Sequence, residues 1–337
     1  MLPNWLYGKS KSKLAELLGG GGTPSDYNEV KAQVVTNTED IALLSNDLND
    51  KAAKTQLSNP NIFHNPWFAV NQRAITSATQ NTDYIADRWM VYFGENNATI
   101  TRNASGNIIM DNTLGTTNIT IYQKRTQTYL NSLVGKKLTA SMMLSDGTIY
   151  SGTITYTGTG NSVYFENDYV KAHAPVLTAS QIITYSVKPG ASVTIKALKL
   201  EVGEISTLHL DPRPEYATEL AKCQRYFIRL GSNTNAATMI LAFGVAINDS
   251  QIAFALPLPS QMRTQPTVSA SSLVRIERHG STTPTGTPTI TIIAMANNII
   301  RLGASGVTNI STGAIYDLVF NYQSGQPAGY IDFNAEL

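Results

Sequence analysis

Ser145-Asp-Gly-Thr-Ile-Tyr-Ser-Gly-Thr-Ile-Thr-Tyr-Thr157 decides how most of the chain reads. Asp-Gly reaches positive φ at little cost and marks a hairpin turn. The residues after it set Ile and Tyr among Thr and Ser, the pattern of a strand with one face inward. The same punctuation recurs on both sides. Residues 97–102, 117–122, 182–187 and 192–200 are β-branched segments bounded by Gly, Asn and Asp. Short strands with a turn every ten or so residues predict a sandwich or jelly roll.

Beyond it, Asp211-Pro-Arg-Pro214 interrupts the chain. Two prolines cannot continue a strand, and one can open a helix. A helix is predicted over 215–226, with Leu220, Cys223 and Phe227 as its apolar stripe, and a domain boundary is set here. Strand signals resume at 236–246, 252–256, 267–276, 289–294, 299–302 and 314–322. Every lysine lies at or before Lys222, so the last third uses only arginine for positive charge. The expected fold is mostly β: an N-terminal anchor peptide and short coiled coil, a β-sandwich jelly roll, and a smaller C-terminal β domain. The segments are 1–22, 23–58, 59–213 and 214–337.

In the N-terminal direction the pattern changes to helix between Tyr27 and Leu57. Val34, Ile41 and Leu48 recur every seven residues, with Val30, Asn37 and Leu44 in the alternate seam. That is a heptad with β-branched and Leu core positions and one buried-Asn candidate. Only about three heptads are clean, short for a free-standing coiled coil. A monomeric surface helix is the alternative, and a short oligomeric stem is expected because the residues after Gly22 offer nothing nearby to pack against. Before it, Gly19-Gly-Gly-Gly22 is a flexible joint. Trp5, Leu6 and Tyr7 precede a short helix predicted over 10–18. They read as an apolar tag docking on a partner surface, the alternative being that they fold back on their own assembly.

Composition narrows the function. The chain has 25 basic and 24 acidic residues, a formal net charge of +1, which gives no footprint for nucleic acid or an anionic membrane. Charged residues are 15% of the total, replaced by Thr, Asn, Ser and Gly, which suits β-rich proteins with hydroxyl and amide outer faces, as in many secreted or virion proteins. A lone cysteine, Cys223, excludes an intrachain disulfide and a multi-cysteine metal site. It is expected to be buried on a helix. No run approaches the ~18 apolar residues of a membrane span. The N-terminus lacks a signal peptide's cationic start and cleavage site, so synthesis in a host cytoplasm is expected.

Two stretches carry a resemblance. Asn65-Pro-Trp-Phe-Ala-Val-Asn-Gln-Arg73, with Asp83-Tyr84 and Asp87-Arg-Trp89, resembles the opening of a jelly-roll domain widespread in bacteriophage tail and virion proteins. Leu198-Lys-Leu-Glu-Val-Gly203, His209, Pro212, Arg213 and Glu219-Leu-Ala-Lys-Cys-Gln-Arg-Tyr-Phe227 are similar to its end, and Tyr330-Ile-Asp-Phe-Asn-Ala-Glu-Leu337 to the closing strand of such proteins. The resemblance implies a galactose-binding-like or carbohydrate-binding-module-like jelly roll in a phage structural protein. Trp67, Phe68, Val70 and Trp89 are expected in the core. Asn71, Arg73, Asp87 and Arg88 are expected to lock strand ends and inter-domain contacts, with Arg225 and Tyr226 as a boundary clamp.

Chemistry is harder to find. His64, His173, His209 and His279 lie far apart, without metal-ligand spacing, and are expected in solvated or loop positions. Tyr164, Glu166, Asp168 and Tyr169 cluster carboxylates and aromatics and are the candidate glycan contact, although without a matching acid elsewhere a plain polar loop is the favoured reading. Tyr150, Tyr156 and Phe165 extend this into either a sugar platform or cross-strand packing. No catalytic residue, metal or cofactor is expected, and the chain is not read as an enzyme. The leading expectation is a homotrimeric virion fibre, such as a tail fibre, docked through its N-terminus and contacting host glycan or protein through its β domains. The alternative is a structural adaptor or head or neck decoration; a polysaccharide-degrading tailspike ranks third.

Overall fold

The computed structural model describes residues 24–55, 58–94, 97–158, 162–165, 170–173, 182–231, 239–280, 286–321 and 329–336. Two compact units divide the chain, Met1–Ser58 and Asn59–Leu337. Trp5, Leu6, Tyr7, the glycine run and the short helix expected over 10–18 lie outside the described residues.

In the first unit, helix α1 runs Pro24–Thr55 and opens on proline, which is preset for a first turn. It contains all six heptad positions. Val34, Ile41 and Leu44 are exposed by 49%, 41% and 67%. Asn37 accepts a 3.1 Å hydrogen bond from Gln33 on its own helix.

The second unit begins as a two-sheet sandwich. Its early strands are β1 (Ser77–Ala78), β2 (Tyr84–Ala86), β3 (Trp89–Tyr92), β4 (Thr99–Arg102), β5 (Ile108–Asp111) and β6 (Ile119–Lys124). The short helix α2 (Gln127–Asn131) precedes β7 (Lys137–Leu144), β8 (Ile149–Thr155) and β9 (Ser162–Tyr164). β10 (Val170–His173), β11 (Ile182–Val187) and β12 (Ser192–Val202) complete it. One antiparallel sheet orders β1-β4-β5-β12-β7-β8 and the other β2-β3-β6-β11-β10-β9, the chain crossing repeatedly between them. Alternate residues of facing strands, among them Leu138, Ala140 and Met142 against Ile183, Tyr185 and Val187, share one core with Trp89.

The Asp-Gly turn sits where the sequence places it. Gly147 has φ +92, and Asp146 accepts a 2.9 Å bond from the Thr148 amide. A side chain at Gly147 would meet open space, so backbone angle alone demands glycine.

After a 3-10 turn, Leu208–Leu210, helix α3 (Tyr216–Gln224) leads into β13 (Phe227–Gly231). Phe227 is therefore a strand residue and not part of the helical stripe. β14 (Met239–Ala246), β15 (Ile252–Pro257), β16 (Thr267–Ala270) and β17 (Val274–Arg278) follow. β18 (Thr289–Ala296), β19 (Ile299–Ser305), β20 (Ile315–Phe320) and β21 (Tyr330–Asn334) close the chain. Three strands order β13-β21-β16 and six order β17-β20-β14-β15-β19-β18, around a second core centred on Phe254, Leu302, Tyr316 and Phe333. The run 267–276 is two strands in different sheets. The Val274 amide bonds back to the Ser271 carbonyl, and that turn sends the chain from one sheet to the other.

Candidate functional site

The resembling stretches meet at one seam. Asn65 is fully buried with φ +53, a conformation Asn tolerates. Its side-chain amide donates to the Val70 and Asp87 carbonyls at 2.8 and 2.9 Å and accepts from the Val70 amide at 3.0 Å. Its own amide donates to the Glu219 carboxylate on α3 at 2.6 Å, and its carbonyl accepts from the Trp89 indole at 2.8 Å. The side chain thus closes the opening loop on Val70 and Asp87, while the backbone of the same residue ties it to β3 through Trp89 and to the helix through Glu219.

Asp87 is 1% exposed and accepts from the Gln72 backbone amide at 3.0 Å. The Gln72 side chain donates both to Asp87 and to the Phe227 carbonyl. Arg73 ion-pairs with Asp87 at 3.5 Å. Its guanidinium lies 3.5 Å from the Phe227 ring centre and 3.9 Å from that of Tyr84. Arg88 covers the Tyr226 ring at 3.6 Å, ion-pairs with Glu336 and donates to the Lys124 carbonyl at 2.9 Å. The C-terminal strand is tied in beside them: Arg229 grips Asp332 with two 2.7 Å bonds, and the Ala335 amide donates to the Tyr226 carbonyl.

Burial sets the electrostatics. It lowers the Arg73 and Arg88 pKa values, that of Arg88 to about 10, and raises that of Asp87 against the pull of Arg73. Charges this deep offer a ligand no approach. Their chemistry is cohesion between the sandwich and the C-terminal strands.

His64 departs from the solvated reading. It is half-buried, with Arg125 3.2 Å from its Nε2 and the Tyr226 ring centre 5.5 Å away. Desolvation first, then Arg125 and Arg88, lower its pKa to about 2. His279 also has a partner, Asp317 at 3.0 Å. Cys223 is fully buried on α3, and burial raises its thiol pKa. Trp67 is only half-buried, with the Lys196 amine 5.7 Å from its ring, whereas Phe68, Val70 and Trp89 are fully buried.

A second buried network escaped the sequence reading. Lys199 and Glu201 share the outer face of β12, yet both are 0% exposed. Lys199 donates to Thr207 and Asp211 at 2.8 Å each, and Glu201 accepts from the Thr207 amide at 2.8 Å. The segment carrying the 3-10 turn is thereby pinned over the strand. Its signal was Lys199 and Glu201, two opposite charges two apart, alternating with Leu198, Leu200 and Val202.

Of the glycan candidates, Tyr164 falls on β9, paired with Lys171 of β10. Glu166, Asp168 and Tyr169 lie outside the described residues. Tyr156 and Phe165 are core residues, Phe165 stacked on Tyr185 at 6.2 Å, which leaves them to packing. Elsewhere in the unit, a pocket of about 310 Å³ is lined by Ser272, Leu273, Arg275, Gly286, Thr287 and Asn321. Hydroxyl, amide and guanidinium groups line it, a set suited to a polar ligand of sugar size. Among the described residues no cluster of His, Cys, Asp and Glu is arranged to hold a metal ion.

Comparison with known proteins adds nothing to this geometry: no family model, no curated protein and no solved structure matches the chain.

Proposed function

We propose that this chain is a homotrimeric bacteriophage virion fibre, attached to the particle through its N-terminal segment and presenting its β unit to the host surface. One observation carries the reading. α1 holds its heptad residues Val34, Ile41 and Leu44 in the open, in a chain whose β unit has complete cores of its own. Apolar residues at heptad spacing become a stable stem when copies of the helix pack together. In that assembly the β units are multiplied, and weak contacts with a glycan or protein gain strength by avidity. The pocket lined by Ser272, Leu273, Arg275, Gly286, Thr287 and Asn321 offers one place for such a contact with a sugar.

The adaptor reading keeps one argument. Asn65, Gln72, Asp87 and Arg88 spend their polar groups inside the seam, a role in cohesion and not in binding. Antibodies raised against residues 59–337 separate the two. On the fibre reading they label intact particles and block adsorption to host cells. Labelling with unchanged adsorption supports the adaptor; no labelling of particles defeats both.

A further inference from the structure

The six-stranded sheet of the C-terminal part has an apolar outer face. Along β14, burial alternates: Ala242, Gly244 and Ala246 point into the core, and Phe243 and Val245 point away, exposed by 59% and 48%. Register places their neighbours. Val245 pairs with Ile315 on β20 and with Ala253 on β15, and Ile240 pairs with Val319. Farther across, Ile299 shares this side with Arg301, since Ile300 and Leu302 fill the core. Ile293, the bulged residue of β18, covers Gly303, where a Cβ would come within 3.1 Å of it. Ile240, Phe243, Val245, Ile293, Ile299 and Ile315 thus share one side of the sheet, each 39–59% exposed.

An antiparallel sheet that faces water alternates apolar-in with polar-out. Here the middle of the outward set is apolar, and an apolar patch of this kind marks an interaction surface. Its chemistry selects the occupant. A saccharide needs donors and acceptors, and the middle of the face carries aliphatic groups. An anionic lipid surface needs a basic face, and here Arg275 is ion-paired with Glu277, Asp317 is buried against His279, and the exposed guanidinium is that of Arg301 at the side of the aliphatic middle. A face that is apolar and carries so little exposed charge can meet its own copy with few like charges opposing one another.

We propose that this outer face is a second self-association surface, closing on the equivalent face of neighbouring copies. The inference rests on the assembly reading above, because copies gathered by a stem hold their faces at about millimolar effective concentration, where a modest apolar contact suffices.

The test uses the full chain in three forms: a stem variant with Ile41→Asp and Leu44→Asp, a face variant with Phe243→Asp and Val245→Asp, and the two combined. Mass is followed against concentration by sedimentation, with near-ultraviolet circular dichroism as the check on folding; all four altered positions are exposed. The stem variant is expected to retain concentration-dependent association, and the combined variant to remain monomeric. The face variant should separate at concentrations about tenfold or more above those for the unaltered chain, the effect of burying charge in an apolar contact. A stem variant that is monomeric throughout, beside a face variant identical to the unaltered chain, overturns the proposal and leaves the stem standing. Loss of association in the face variant alone supports the proposal and removes the stem. A face variant of unchanged mass that no longer adsorbs to host cells assigns the face to a foreign partner and overturns the proposal. An unaltered chain that is monomeric at every concentration overturns both.

Discussion

At the residue scale, Asp87 and Arg73 show how a buried ion pair ties two parts of a chain. The carboxylate is 1% exposed, and the guanidinium also lies between two aromatic rings. Replacing Arg73 with methionine keeps much of the bulk and strands the charge. Loss of one partner from such a pair costs about 3–5 kcal/mol, and the urea midpoint of residues 59–337 should fall accordingly. An unchanged midpoint would mean the pair contributes nothing net. His64 gives a pH dependence. Its folded pKa, about 2, is below the ordinary 6.5, so between these values the unfolded chain binds the extra proton. Stability therefore falls as pH drops from 6.5 toward 2, and His64→Gln should flatten that part of the profile in a series of thermal melts. These residues were legible in part. The Asn-Gln-Arg and Asp-Arg-Trp steps marked Arg73, Asp87 and Arg88 as structural locks. Lys199 and Glu201 were missed, because periodicity places them facing outward and only the fold supplies the segment 206–211 that covers them.

At the scale of elements, local chemistry fixed the strands with their own turns. Asp146-Gly147 made its hairpin, and the expected strand at 182–187 appears with those bounds. Strands without such marks, β1 to β3 and β13, were not anticipated. They are short, and they are held by the seam and by pairing with distant partners, β13 with β21 across about a hundred residues. Gly244 is a position where the sheet tolerates no side chain: a Cβ there would lie 2.5 Å from the Phe254 ring. Gly244→Val should cost about 1–3 kcal/mol through overpacking, read as a lowered melting temperature; no change would place Phe254 elsewhere. Helix α1 makes the complementary case. An isolated helix without partners is marginal in water. A peptide of residues 24–55 should therefore gain helicity with concentration in far-ultraviolet circular dichroism. Helicity independent of concentration would remove the stem from the account.

At the scale of the whole molecule, the chain consists of a helix with exposed heptad residues and a β unit with two cores joined by a buried polar seam. Both the helix and the outer face of the C-terminal sheet present apolar groups that association would cover. Solution mass tests this most directly, measured on the full chain and on residues 59–337. The account predicts close to three times 36.5 kDa for the full chain. The shorter form should separate at concentrations where the full chain stays assembled. A full chain of one chain mass at every concentration would contradict the fibre, the stem and the second interface together.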